Sequence, residues 1–315
     1  MEAARPEIAF ATPRKLPKVD SLRGRVVVVD VAFASDASGG GFAKLTGPFI
    51  EKLGKRLVAW VDHHDHVLHE EYKRDPRFVL ATKAEHGACP EMVTPELVAR
   101  IGPVETIVCH TDFDGLCSAA KWIRGGVEPY AGSAADARAI DTRIGIPSPT
   151  AQRFDRAIRA RGRDTALLGL IVRHLAGGLS DASLWPEIDR AAAELDAIEK
   201  ATRAIARRYR LVDLEKREGV PDKVRTIAFV DATAEHGRYD KTLLLLLGQE
   251  RAGAAVILDL DTLSLAAPFD SGLSFLAVLG LSGGMPTFVS IPKDRMRDAL
   301  TRIGVRSSDL ELLGA

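Results

Sequence analysis

The first half of the chain alternates short apolar runs with helical patterns, and this alternation constrains the fold more than any other feature of the sequence. Three runs form this set: Val26–Asp30, Leu57–Val61 and Val104–Cys109. Continuous apolar runs of this length are typical of strands buried on both faces of a parallel sheet. Helical patterns follow them, from about Pro48, over Pro95–Arg100 and over Leu116–Arg124. Three such units predict an α/β fold with a doubly wound, mainly parallel sheet.

The second half of the chain predicts a helical connector followed by a smaller α/β domain. Residues 150–210 are mostly helical in pattern, with apolar side chains at helical spacing. The polar segment 213–223 contains a glycine and a proline and therefore predicts a linker. Strand and helix patterns alternate again from Thr226 onward. We expect a first domain with its helical connector over residues 1–212, a linker over residues 213–223 and a second domain over residues 224–315.

The composition argues against several classes of function. The chain has 43 basic and 43 acidic residues, which disfavours a general nucleic-acid coat protein but leaves room for a local basic cleft. Three cysteines without a CxxC pair predict reduced thiols and a cytoplasmic location. No apolar run approaches the roughly 18 residues of a membrane span, so no membrane partner is expected. The triplet Gly39-Gly40-Gly41 lacks a Walker lysine and predicts a loop rather than a nucleotide-binding P-loop.

Metal-ligating residue types follow all three predicted strands. Asp30 ends the first run, Asp62-His63-His64 ends the second, and the segment from His110 to Asp114 follows the third. Because the carboxyl ends of parallel strands meet at one edge of a sheet, these side chains are expected to lie close together. Carboxylates and imidazoles are typical ligands of divalent metals, and two such metals can drive water toward phosphorus. The residues therefore predict a two-metal phosphoryl hydrolase.

The spacing of His110, Asp112 and Asp114 allows two interpretations. In an extended chain, side chains at i, i+2 and i+4 point the same way, and the glycine that follows permits a sharp turn into a helix. The alternative is a strand end with capping aspartates. His66 and His69 also follow the second run, and they are either further site residues or part of a solvated loop.

These segments resemble the motifs of the DHH phosphoesterase superfamily, which includes RecJ-type exonucleases, oligoribonucleases, cyclic-dinucleotide phosphodiesterases and family II pyrophosphatases. The first three motifs are similar to His110–Ala119, Val27–Asp30 and Asp62-His63-His64. The fourth motif resembles Ala139–Arg143, which contains Asp141 and Thr142. The glycine-rich turn of the DHH-associated substrate domain resembles Leu281–Met285, which contains Gly283 and Gly284. The resemblance extends from about Arg25 to Val305.

The chain departs from the pattern of this superfamily in two ways. The second and third motifs precede the first, as in a circularly permuted catalytic domain, and a compact domain tolerates this order because its termini usually lie close together. In the C-terminal domain, the family's usual histidine and arginine are replaced by Met285-Pro286 and by Ser264-Leu265-Ala266. The resemblance therefore implies an intact catalytic site beside a divergent substrate domain.

The resemblance also implies a role for each matching residue. One metal ion would be held by His110 and Asp112, a second by Asp114, His63 and Asp141, and Asp30 would bridge the two. The implied catalytic residues are His64, which would contact the phosphate, and Asp62, which would orient His63. The implied substrate-binding residues are Arg143, Gly283 and Gly284. Asp136 is an alternative to Asp141, because the spacing is not diagnostic.

The expected cofactor is a pair of divalent metal ions. Oxygen and imidazole ligands without thiolate favour Mn²⁺, with Mg²⁺ or Co²⁺ as alternatives. The favoured function is a phosphodiesterase that hydrolyses short oligonucleotides or linear dinucleotides, because a net charge of zero suits a small substrate better than a long strand. The alternatives are a phosphomonoesterase or pyrophosphatase acting on a small phosphate compound, and a non-catalytic nucleotide-binding protein. A homodimer is left open.

Overall fold

The computed structural model describes residues 5–35, 40–235 and 239–314, so Gly39 of the predicted loop lies outside the described residues. The chain packs as two compact units. One consists of Met1–Ala34 with Gly41–Leu195, and the other of Ser35–Gly40 with Asp196–Ala315. The domain limits predicted from the sequence stay a prediction, because packing alone does not show which segments fold independently.

The first unit is built on a five-stranded parallel sheet, which confirms the predicted fold class. Its strand order is β1-β6-β2-β3-β5 and every neighbouring pair is parallel. The strands of this unit are β1 (Glu7–Ala11), β2 (Val26–Val29), β3 (Leu57–Asp62), the two-residue β4 (Asp65–His66), β5 (Phe78–Leu80) and β6 (Thr106–His110). The sequence predicted β2, β3 and β6 but neither β1 nor β5.

Helices cover both faces of this sheet. Alternate residues of β2 belong to different apolar clusters: Val27 and Val29 pack with helix α5, whereas Val26 and Val28 pack with helix α2. The helices that follow β2 are α1 (Gly41–Lys44), α2 (Thr46–Leu53), α3 (His69–Tyr72), α4 (Pro95–Ile101), α5 (Phe113–Ile123), α6 (Ser133–Thr142), α7 (Pro149–Arg161), α8 (Thr165–Ala176) and α9 (Trp185–Ala206). The helices α7, α8 and α9 confirm the helical pattern predicted for residues 150–210. A sheet covered on both faces explains why its strands are continuously apolar.

The strand order creates a switch point between β2 and β6. From β2 the chain proceeds through β3 to β5 on one side, and then returns to place β6 on the other side of β2. In open α/β sheets, ligands bind beyond the carboxyl ends of the strands at such a point. Asp30 follows β2 and His110 ends β6, so the topology brings both residues to this position.

The second unit contains a mixed five-stranded sheet of order β12-β10-β9-β8-β7, in which only β8 and β9 are parallel. Its strands are β7 (Arg210–Asp213), β8 (Thr226–Asp231), β9 (Ala254–Leu258), β10 (Thr262–Ala266), β11 (Gly283–Gly284) and β12 (Phe288–Pro292). Its helices are α10 (Lys241–Gln249), α11 (Phe275–Leu279), α12 (Met296–Ile303) and α13 (Ser307–Leu313). Within the described ranges, no helix is both long enough and apolar enough to cross a bilayer.

Candidate metal centre

Asp30 lies directly after β2 and is completely buried. Its backbone has a φ of 59°, a left-handed conformation that is uncommon for residues other than glycine. The N–H of Asp30 donates a 2.8 Å hydrogen bond to the backbone oxygen of Val61, which ties this turn to β3. Backbone conformations of this kind persist where surrounding contacts enforce them, and they are frequent at functional sites.

His63 is completely buried after β3, and one hydrogen bond decides which ring nitrogen faces the site. Nδ1–H donates to the backbone oxygen of His86 at 2.8 Å, so Nε2 is an acceptor in the neutral ring. Three carboxylate oxygens surround Nε2, at 3.2 Å (Asp30), 3.3 Å (Asp114) and 3.8 Å (Asp141). Acceptor atoms brought together in this way need a cation or a proton between them.

Asp62 pairs with His64 and not with His63, so the predicted orienting role of Asp62 toward His63 is wrong. The carboxylate of Asp62 is completely buried, and its Oδ1 accepts a 2.8 Å hydrogen bond from His64 Nδ1. Successive side chains of an extended chain point to opposite sides, and therefore Asp62 shares a side with His64. The side chain of His64 is 16% exposed, and burial lowers its pKa although Asp62 opposes that shift. The ring is thus a neutral acceptor that solvent can reach.

The chain is extended from His110 only as far as Asp112, so Asp114 does not continue the predicted alternation. Asp112 is the N-cap of α5 and accepts a 3.1 Å hydrogen bond from the N–H of Gly115, as in the capping alternative. Asp114 lies in the first turn of the helix, where its Oδ2 accepts the N–H of Cys89 at 3.2 Å. Gly115 makes no sharp turn. A Cβ at this position would lie 2.7 Å from the backbone oxygen of His110, so the close approach of α5 to β6 requires glycine.

Asp141, and not Asp136, lies beside His63. Both residues are on α6, but Asp136 accepts hydrogen bonds from Tyr130 and from the backbone and hydroxyl of Ser148, at 2.6 to 2.9 Å. These contacts satisfy Asp136 within the fold. The structure thus separates the two alternatives that the sequence left open.

Among the residues that the structure describes, three groups of side chains have ligand atoms within 4.8 Å of one another. They are Asp30, His63 and His64; Asp30, His110 and Asp112; and His63, Asp114 and Asp141. The atom of His64 near Asp30 is Nδ1, at 4.0 Å, and it is already bonded to Asp62. The other two groups, which we call the Asp112 group and the Asp141 group, correspond to the two ligand sets that the DHH resemblance implies.

Buried polar atoms without partners show that these groups fit a metal. Both oxygens of Asp30 and Oδ1 of Asp114 are buried and have no hydrogen-bond partner in the described part of the chain. A buried acceptor left unsatisfied costs about 1–3 kcal/mol, and more when it is charged. Clustered carboxylate oxygens and imidazole nitrogens are ligands for divalent ions such as Mn²⁺ and Mg²⁺. The residues therefore fit divalent metal.

The carboxylates of the cluster perturb one another strongly. Burial raises the pKa of Asp30 well above its ordinary value, and the charges of Asp114 and Asp112 raise it further. Burial opposes ionisation of Asp114 as well, but its interactions with the neighbouring Asp30 and His63 hold its pKa well below the ordinary value. The pKa of His110 is raised despite burial, because Asp112 and Asp114 favour the imidazolium. Neighbouring carboxylate charges thus contribute to the raised pKa values of both Asp30 and His110.

Lys83 belongs to the same cluster and was missed from the sequence. It is 3% exposed, its Nζ contacts Oδ2 of Asp141, and the distance from Nζ to His63 Nε2 is 3.4 Å. The residue follows β5, a strand of only three residues that the pattern analysis did not detect. The available signal was the short apolar run from Phe78 to Ala81, with a lysine two residues beyond it. The same loop supplies the His86 oxygen and the Cys89 N–H to the site.

The remaining predicted residues lie outside the cluster. Arg143 is exposed at the C-terminal end of α6, with a left-handed φ of 61°. Gly283 and Gly284 form β11 in the second unit, and their role in substrate binding stays a prediction. His69 is buried, not solvated: it packs edge-on against Phe33 at a centroid distance of 5.1 Å, and burial lowers its pKa to about 4.

Comparisons with known proteins give a distant structural likeness. No family model matches the chain, and no curated protein matches it. Among solved structures, the chain is similar to one described as "Crystal structure of exonuclease RecJ bound to manganese", with a TM-score of 0.42 and 12% identity. The likeness covers 89% of this chain and 74% of that one. Similarity this low carries no conclusion about activity, and membership of the DHH superfamily stays a prediction from the motifs.

Proposed function

We propose that this chain is a divalent-metal-dependent phosphodiesterase that hydrolyses short oligonucleotides or linear dinucleotides. The observation that carries the proposal is the set of inward-facing ligand atoms at the switch point of the parallel sheet. Asp30, His63 and Asp114 are almost completely buried there, and neither oxygen of Asp30 nor Oδ1 of Asp114 has a hydrogen-bond partner among the described residues. Polar atoms are rarely left in this state unless a ligand completes their bonding.

The cluster supports two cation positions that share Asp30. Asp30 belongs to the Asp112 group, and its Oδ1 also lies 3.2 Å from His63 Nε2 of the Asp141 group. A carboxylate whose two oxygens have no hydrogen-bond partner among the described residues can bridge two ions. We propose Mn²⁺ for both positions, because the ligands are carboxylates and imidazoles only. Two such cations would lower the pKa of water, orient it in line with phosphorus and neutralise charge on the phosphoryl oxygens.

The protein's own residues prepare the site for this chemistry. The bond from His63 to the His86 oxygen fixes the tautomer and aims Nε2 at the cation position. The bond from His64 to Asp62 fixes the other ring, so that His64 can contact a phosphoryl oxygen from a solvent-accessible position. Arg143 is exposed two residues beyond Asp141, where its guanidinium can pair with a second phosphate. Asp62 and His64 therefore act together on the substrate side of the cluster.

A small substrate fits the charge of the chain. Proteins that coat long nucleic acids depend on a large basic surface, whereas this chain has no net charge. Attraction from bound cations would suffice for one or two phosphates. A short oligonucleotide or a dinucleotide is therefore the substrate class that we propose.

Hydrolysis of a 5′-labelled dinucleotide and a short RNA with and without Mn²⁺ tests the proposal. A panel with a phosphomonoester and pyrophosphate separates the alternatives. The matched variants are Asp112→Asn in the cluster and Asp164→Asn at the N-cap of α8, because asparagine caps a helix about as well as aspartate. We expect mononucleotide release that requires Mn²⁺ and falls in Asp112→Asn by more than about 100-fold, beyond the usual loss for an outer-shell partner.

Asp164→Asn should retain the wild-type rate, since Asp164 accepts hydrogen bonds from Ala166 and Leu167 and pairs with Arg161 at 3.9 Å, and none of these residues belongs to the cluster. Release of inorganic phosphate from the monoester or pyrophosphate alone would overturn the proposed substrate class. Tight nucleotide binding without turnover in any divalent metal would indicate a binding protein instead.

A further inference from the structure

Lys83 is a buried cation inside the candidate metal centre. Its side chain is 2% exposed, and lysine is almost never buried to this extent unless its charge is paired. The ammonium nitrogen contacts Asp141 Oδ2 and lies 3.4 Å from His63 Nε2. Lys83 comes from the loop after β5, whereas its partners come from β3 and α6, so three separate segments converge on this charge.

The ammonium group uses the same atoms as one of the two metal positions. His63 Nε2 and Asp141 Oδ2 are 3.8 Å apart, and together with Asp114 they form the Asp141 group. An ammonium is a compact point charge with three donors, so it can satisfy acceptors that a metal ion would otherwise ligate. Lys83 and a divalent cation therefore compete for this position.

The Asp112 group has no such competitor. In the ranges 5–35, 40–235 and 239–314, neither Asp30 nor Asp112 forms an ion pair with a lysine or an arginine. Both oxygens of Asp30 also lack hydrogen-bond partners in those ranges, whereas His110 Nδ1 lies 2.8 Å from Asp112 Oδ2. The two groups have similar ligands, and they differ in that a buried lysine pairs with a member of the Asp141 group.

We propose that Lys83 is an internal counter-ion that occupies the second cation position until a divalent ion displaces it. The inference rests on the proposed metal centre and adds an order of loading to it. The Asp112 group takes the first ion tightly, because no lysine or arginine in the described ranges has to be displaced from the oxygens of Asp30. The Asp141 group takes an ion more weakly, because binding must first break the pair between Lys83 and Asp141. The flexible four-carbon stem of lysine lets the ammonium move without backbone rearrangement.

Mn²⁺ titration of the full chain, followed by calorimetry and by EPR of coupled ion pairs, tests this order. The variant is Lys83→Met, which keeps an unbranched apolar stem and removes the charge. The matched control is Lys121→Met, since Lys121 is another buried lysine of the same unit, with Nζ bonded to the Pro90 oxygen instead. Wild type and Lys121→Met should bind one ion tightly and a second about 100-fold more weakly, as expected when a buried ion pair must be broken.

In Lys83→Met the two affinities should converge to within about tenfold, with EPR-coupled pairs already at low Mn²⁺. Lys83→Gln provides a second uncharged variant if Lys83→Met does not fold, as judged by circular dichroism. The inference would be overturned if the wild type bound both Mn²⁺ ions with equal affinity. It would also be overturned if neither Lys83→Met nor Lys83→Gln changed the affinity for the second ion.

The same samples separate this inference from the proposed function. Converging affinities without hydrolysis of any phosphodiester would support Lys83 as a counter-ion and overturn the activity. Hydrolysis with an unchanged second affinity would support the activity and overturn the role of Lys83. Absence of Mn²⁺ binding in every sample would overturn both.

Discussion

Two pairs of parallel strands, one in each unit, carry the same sequence pattern but hold their aspartates differently. In the first unit, Asp30 follows β2 and Asp62 ends β3; in the second unit, Asp231 ends β8 and Asp259 follows β9. Each aspartate comes directly after a valine or leucine at the end of an apolar run. The pattern coincides with a buried parallel strand in all four cases, but it does not distinguish a functional carboxylate from a structural one.

The distinction lies in how the oxygens are satisfied. Asp231 is exposed, and its Oδ1 accepts the N–H and the hydroxyl of Thr233 at 2.9 and 2.7 Å. Asp259 accepts the hydroxyl of Tyr239 at 2.9 Å and pairs with Lys241 at 3.1 Å. Asp30, in contrast, is completely buried, and no described residue donates to either of its oxygens. A carboxylate that the fold buries but does not satisfy is therefore the mark of a ligand site.

The largest effect is expected from Asp30→Asn. Without metal, the amide removes a buried charge from a cluster of carboxylates and can donate to Asp114, so the free energy of unfolding should rise by about 1–3 kcal/mol. Activity should fall more than the roughly 10–100-fold expected for an outer-shell partner, and stabilisation by Mn²⁺ should disappear. Urea denaturation with and without Mn²⁺, together with the hydrolysis assay, measures all three.

The effect of Asp30→Asn on the free energy of unfolding should depend on pH. Burial and the charges of Asp114 and Asp112 raise the pKa of Asp30, so its stabilising contribution is complete below the unfolded pKa of about 4 and is lost as pH rises through the folded pKa. Without metal, the excess of the unfolding free energy of Asp30→Asn over that of the wild type should thus grow with pH.

Asp259 should show the opposite pH dependence. Burial opposes ionisation of Asp259, but bonds from Leu260, Tyr239 and Lys241 lower its pKa, so its contribution to stability is lost only below about pH 4. Asp259→Asn should therefore lower the free energy of unfolding at neutral pH. If Asp30→Asn and Asp259→Asn changed the free energy of unfolding in the same direction, the distinction between the two aspartates would be wrong.

Asp62→Asn should have the next largest effect. Asp62 is buried as completely as Asp30, but its Oδ1 is bonded to His64, so it orients a ring instead of holding a metal. The amide oxygen can accept the same bond without the charge, and kcat should fall by about 10–100-fold with Mn²⁺ affinity retained. Steady-state kinetics and Mn²⁺ titration measure these quantities. Asp259→Asn is the control, and its kcat and Mn²⁺ affinity should equal those of the wild type. Loss of Mn²⁺ binding in Asp62→Asn would instead make Asp62 a ligand.

The predictability of the fold followed the length of each apolar run. The strands β2, β3 and β6 have four to six residues, at least three of them apolar in succession, and pattern analysis found them. It missed β5, which has three residues, and β1, whose sequence Glu7–Ala11 begins with a charged residue. Parallel pairing of β1 with β6 supplies the context that makes such a segment a strand. That context is tertiary and cannot be read from the segment alone.

The site residues could be predicted only where the strand before them had been predicted. Residues at strand ends, such as Asp30 and His63, could be expected near one another because parallel strands end at a common edge. Lys83 could not, because its strand had been missed. The choice between Asp136 and Asp141 required the helix itself: residues five positions apart on an α-helix lie about 140° apart around its axis, so only one can face β3. Spacing in the sequence does not show which one.

The smallest effect is expected from Asp231→Asn. Asp231 has the same position on its strand as Asp62, but it is exposed, and asparagine can accept the same bonds from Thr233. Activity should be unchanged, and Tm should shift by less than about 2 °C, as is usual for exposed positions outside a network. Thermal denaturation and the hydrolysis assay measure this. A loss of activity comparable to that of Asp62→Asn would show that strand ends of the second unit also act on the substrate. The presence or absence of hydrogen-bond partners for the carboxylate oxygens would then not separate functional from structural aspartates.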